Sequence, residues 1–347
     1  GSLGASRQGG FTLVELALVS LVVGIMAAMM SGYINTFFSI NNAAYYLDQE
    51  RKNRIIADGL YEWSKGFNQG VLPVPFTDAG TSHYNAIIDP AVATPDQVAL
   101  LTILQEKGVD QREINADGRI VEKVRVLQVV NGLATTTPLF GLTGDLVTVG
   151  YQLGAVYVTD CSRSDGICNP NPVSGLPGDS PVLNAANLTT WTTLGTDSVP
   201  ARVSTLPLMR EQVAVTAFRI NTIRDQLRRY FYALQAAAPP ASTDNFYPQP
   251  TNAGAINDGN DPTANQGCID GWYNLMDPAN DLLIQIGLGR VEFGQTSFGG
   301  TIELCVDFDL VAAGPGTDDD PPHLAALRIH RVLTNGAAPD PVTVGNN

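Results

Sequence analysis

The longest apolar run in the chain occupies 11–34, FTLVELALVSLVVGIMAAMMSGYI, interrupted only by small hydroxyl and glycine positions, Tyr33 and one carboxylate, Glu15. A helix rises about 1.5 Å per residue and needs roughly 20 apolar residues to cross a hydrocarbon core, so the run is long enough to span a bilayer. Beyond it Phe37, Ile40, Ala44, Leu47, Ile55, Leu60 and Trp63 keep to helical spacing, with Arg51 taking one step of the stripe, and no proline occurs before Pro73. The pattern predicts one helix over 11–65 (11–66 with its terminating glycine). Its first part would lie in lipid, and its second would pack one face against a head. Glu50, Arg51, Lys52 and Arg54 cluster where it leaves the membrane, and Gly66, Gly70, Pro73 and Pro75 end it.

The remainder alternates shorter signals. A helix is predicted over 95–107, with Asp96 favouring its amino end. Valine-rich stretches at 119–130 and 145–160 read as antiparallel strands, and 161–200, rich in Gly, Pro, Asn, Ser and Thr, reads as a surface excursion rooted by a disulfide. A second amphipathic helix is predicted over 208–235, its stripe made of Val213, Ala217, Ile220, Leu227, Phe231 and Leu234. Strands are predicted near 282–286, 289–293, 301–310 and 324–333. The fold class is α+β: a long N-terminal helix followed by a large antiparallel-sheet head, either one elaborated head or two lobes at 67–206 and 207–347.

Glu15 changes the reading of the first helix. An isolated ionised carboxylate in an apolar segment costs several kcal/mol unless paired or protonated, so a plain anchor gains nothing from it. A secretory signal has an apolar core of roughly 7–15 residues, shorter than this run. Ahead of it stand Arg7, Gln8, Gly9 and Gly10, and then Phe11-Thr-Leu-Val-Glu15. A basic leader, a glycine pair, Phe-Thr-Leu-Val-Glu and an unbroken apolar helix together resemble the start of type IV pilins and pseudopilins. That resemblance implies cleavage between Gly10 and Phe11 by a prepilin peptidase on the cytoplasmic face, making 1–10 a leader. It also implies methylation of the new Phe11 amino group and polymerisation through the helix, with Glu15 acting in subunit assembly. Gly24 matches a glycine usual in this helix, whereas Gly32 stands where the family often has a kinking proline. FRINTIRDQLRRYFYALQ, followed by Asn245-Phe-Tyr-Pro248, is similar to the post-membrane helix and loop of type II secretion pseudopilins. The implied partners are other pilin subunits, the peptidase, an inner-membrane assembly platform and, before assembly, membrane lipid. The implied locations are the inner membrane for the precursor, then an extracellular pilus or a periplasmic pseudopilus. An anchored periplasmic binding module that never polymerises is the alternative from another class.

Charge and cysteine narrow the rest. The chain of 347 residues has a formal charge of −14, from 34 acids and 20 bases, so a polyanionic backbone would be repelled and nucleic acid is not an expected partner. Four cysteines in a membrane-crossing chain point to an oxidising compartment and two disulfides. Three connectivities are open; pairing within each region, Cys161 with Cys168 and Cys268 with Cys305, is the simplest. The three histidines, His83, His323 and His330, show no metal-ligand spacing, and Gly178-Asp179-Ser180 lacks a His/Asp context, so no enzyme is expected. Calcium is the one cofactor with a motive: Asp258 and Asp261, and the run Asp318, Asp319 and Asp320, place hard oxygen ligands in turn-rich loops, and some pseudopilins bind calcium in a head loop.

Overall fold

The computed structural model describes residues 13–65, 70–73, 83–88, 95–116, 123–138, 146–162, 182–191, 199–251, 267–298, 300–310, 316, 321–330 and 342–344. It opens with helix α1, Leu13–Lys65, continuous over 53 residues. All buried positions of α1 fall in its last third: Gln49, Asn53, Ile56, Ala57, Gly59, Leu60 and Ser64. The apolar stripe expected from spacing is therefore not the buried face. Phe37, Ile40 and Leu47 are exposed, Leu47 by 67%, and Leu60 alone of the expected positions lies fully in the core. The correction has a physical cause. A buried arginine faces α1 from the sheet and selects Gln49 and Asn53 as its partners, so the contact face is turned relative to the hydrophobic pattern.

Four antiparallel strands, β1 (His83–Ile88), β2 (Lys123–Pro138), β3 (Leu146–Ser162) and β4 (Ala201–Ser204), form the first sheet in the order β1-β2-β3-β4. Between β1 and β2 lie helices α2 (Pro95–Glu106) and α3 (Gln111–Ile114). The two-residue alternation of β2 sends Leu127 and Val129 towards α1 and α2, where they pack with Ile56, Leu60, Leu100, Leu104 and Val156. Val126 and Val130 point the other way, joining Ala155, Tyr157, Leu183 and Trp191. The sheet is thus covered on both faces. Part of the stretch expected to be a surface excursion supplies that second cover: Gln128 Nε2 donates to Tyr157 Oη at 2.6 Å, and the Leu183 amide donates to Gln128 Oε1 at 2.7 Å. Leu183 and Trp191 are buried there, Trp191 edge-on to Tyr157.

Helix α4, Leu206–Ala237, follows directly, with a proline in its first turn. Val213, Ala217, Ile220, Ile223, Leu227 and Phe231 make its buried stripe, whereas Leu234, expected in that stripe, is 41% exposed. The stripe packs on a second antiparallel sheet of β5 (Tyr273–Asn274), β6 (Thr301–Cys305), β7 (Ala325–His330) and β8 (Val342–Val344), ordered β5-β6-β7-β8. Val149 of β3 joins this second core, so the two sheets share side chains.

Two strands expected near 282–286 and 289–293 are instead short helices, α5 (Leu282–Gln285) and α6 (Arg290–Phe293). Adjacent Leu282 and Leu283 are both buried together with Ile286, while Ile284 is 61% exposed. That is the spacing of one helical turn; a strand would have put 282, 284 and 286 on one face. Strand β6 stops at Cys305, short of the expected 310, and β7 ends the described stretch at His330.

Candidate functional site

The first two-thirds of α1 are the most distinctive surface. An 18-residue window there has a mean hydropathy of 2.4 and is 0% buried, and α1 is long and apolar enough to cross a membrane. Leu13, Leu21, Met29, Phe37 and Leu47 project on all sides rather than along one stripe, which suits a lipid or bundled-helix environment and not packing on one neighbour. Glu15 lies in the first turn of the described helix. Among the described residues nothing lies within 4 Å of where a Cβ would stand at Gly24 or Gly32, so neither glycine is needed for packing against them. The helix runs through Gly32 unbroken.

Below this surface sits a polar collar. Arg51 bridges Asp48 at 3.1 Å and Glu113 of α3 at 2.9 Å, and Lys52 pairs with Asp48 at 3.0 Å. Burial alone would raise the Asp48 carboxyl, but hydrogen bonds from Lys52 and Arg51 outweigh it and hold the group below its ordinary range. Tyr45 Oη donates to Ala116 O at 2.9 Å, and Asn53 Nδ2 to Val199 O at 3.2 Å. At the centre lies Arg125 of β2, fully buried. Its Nε donates to Ile114 O at 3.2 Å and its Nη2 to Gln49 Oε1 at 2.6 Å and to Asn115 O at 3.4 Å, while Nη1 donates to Asn53 Oδ1. Each of these direct acceptors is a neutral amide or carbonyl, and burial lowers the Arg125 pKa to about 10.

The second sheet carries a different cluster. Cys268 and Cys305 form a disulfide with Cα atoms 5.9 Å apart, in a buried pocket with Trp272 and Ala326. Asp307 Oδ1 lies 3.1 Å from Cys268 Sγ and 3.3 Å from Cys305 Sγ. These three residues have the donor set of a metal site, but both sulfurs are bound to each other, which leaves no thiolate to ligate an ion. Glu303 and Arg328 face each other across β6 and β7 with Oε2 and Nε 2.6 Å apart, and the Arg328 guanidinium lies 4.4 Å above the Trp272 ring.

Of the residues singled out from the sequence, Glu15, Cys268 and Cys305 are placed as described. Gly10, Phe11, Cys168, Asp258, Asp261, Asp318, Asp319 and Asp320 lie outside the described residues, as does the Cys161 side chain at the end of β3. His323 is buried, its Nε2 2.7 Å from Thr243 O. Arg125 and its partners Gln49 and Asn53 went unnoticed in the sequence. The available signal was a charged residue between Val124 and Val126, in the valine-rich part of a strand. No family model matches this chain, and no curated protein or solved structure matches it.

Proposed function

We propose that this chain is a structural subunit of a type IV pilus or pseudopilus, processed between Gly10 and Phe11 and assembled through α1. The observation that carries the reading is a single helix of 53 residues whose apolar part has no cover among the described residues and whose last third is built into an α+β head. Phe-Thr-Leu-Val-Glu at its start and the glycine pair before it support the same reading. The head is large, which suits a minor or tip-type subunit better than a bulk subunit.

In this reading the membrane stores the precursor and the filament replaces lipid with the helices of other copies. Glu15 then moves from a position near the interface into an apolar bundle, and the compensating charge is the Phe11 ammonium of an adjacent subunit, which exists only after cleavage. Such a pair need not add net stability. It fixes axial register, because leaving one partner alone and buried costs about 3–5 kcal/mol.

Glu15→Gln tests this. Insertion and cleavage are expected to proceed, with mass spectrometry finding mature chains that begin at N-methylated Phe11, while the variant is strongly depleted from sheared filaments relative to wild type. Intact leader in assembled filaments would overturn the processing step. Wild-type chains found only in the membrane, never in filaments, would favour an anchored binding module.

A further inference from the structure

The face that α1 presents to the head changes chemistry along its length. From Tyr45 to Asn53 the helix is held to the head by hydrogen bonds and ion pairs: Tyr45 to Ala116 O, Arg51 to Glu113, and Gln49 and Asn53 to Arg125. From Ile56 to Leu60 the contacts are apolar, Ile56, Ala57 and Leu60 packing among Leu72, Leu104, Val109 and Val203. Gly59 brings the helix so close that a Cβ there would stand 2.7 Å from Val109 Cγ2.

We propose that these are two grips of different strength in water: a releasable polar latch at 45–53 and an apolar pivot at 56–64, about which the head tilts on an intact α1. When the latch opens, water replaces each lost bond, so each is given up at a fraction of its strength. The Arg125 cation gains most, since it sits where burial disfavours its charge. Opening the pivot offers no such exchange. Ile56 and Leu60 would meet water with nothing returned, and the loss scales with the apolar area exposed. The collar thus yields first while the pivot keeps the head attached. A subunit passing between lipid and any other helical environment can then adjust its head angle without unfolding.

The proposal does not depend on polymerisation and is tested on the full chain in detergent micelles. Spin labels on added thiols at Leu47→Cys and Gln111→Cys report the latch, and at Glu62→Cys and Lys107→Cys the pivot; each of these positions is exposed. In the Arg125→Met background the 47–111 distance distribution is expected to widen at least twofold, towards longer distances, with the 62–107 distribution unchanged. Both pairs widening together would show one undivided interface, and neither widening would show that the polar contacts do not hold the helix; either result overturns the proposal. If the methionine variant does not fold, Arg125→Lys decides by the same criterion. It keeps the charge but cannot reach Gln49, Asn53 and Ile114 O together.

Discussion

α1 and α4 are both long helices beside antiparallel sheets, and they are covered very differently. The buried residues of α4 run from Leu208 to Phe231, almost its whole length, whereas those of α1 begin only at Gln49. α1 is the more apolar of the two over most of that uncovered length. What places a helix inside a fold is thus the segregation of its apolar residues to one side. Arg224, Asp225 and Arg229 confine the apolar positions of α4 to a stripe that one sheet can cover. The first part of α1 has apolar side chains all round, and a single head can cover one side at most.

The comparison breaks first at the inner end of α4. Phe231 packs with Phe246 and Tyr247, the Tyr247 ring centroid 4.7 Å away, and is buried. Phe231→Ala is expected to destabilise the head by about 3–5 kcal/mol in denaturant unfolding of the detergent-solubilised chain. A smaller effect is expected at Tyr247 itself. Burial raises its phenol pKa to about 12, so the folded state favours the neutral form. That contribution is complete below the unfolded value of about 10 and is lost as pH rises towards 12. Tyr247→Phe should therefore flatten the fall in melting temperature within that alkaline window. The smallest effect is expected at Leu21→Ala on the exposed part of α1, within about 0.5 kcal/mol for head unfolding. A loss there as large as at Phe231 would mean that the head covers the apolar segment after all.

Long periodic elements were the legible part of the sequence. α1 ends at Lys65 and α2 starts at Pro95 as the glycine and proline punctuation implies, and α4 extends the expected span by two residues at each end. Short elements were not legible, because 282–286 and 289–293 hold too few residues to distinguish alternation from a single helical turn. The turned face of α1 was hidden for another reason. Hydrophobic spacing cannot report a face chosen by hydrogen bonds, and Gln49 and Asn53 look like solvent-facing residues until Arg125 is brought opposite them from β2. In the first sheet Arg125 lies in register between Ile88 of β1 and Val158 of β3. Of the candidate site, Glu15, the apolar run and the charged cluster at 50–54 could be read directly, and Arg125 with its partners Gln49 and Asn53 could not.

Gln128 fixes the return point of the chain after β3. By holding Tyr157 and the Leu183 amide at once, it ties position 183 to the same sheet face from which β3 departs. The stretch between Ser162 and Val182 is thereby bounded by two anchored ends. Strand register and the packing of Trp191 are set by residues outside 163–181, so both are expected to be insensitive to the length of that interval, which leaves it free to change over evolutionary time without renegotiating the fold.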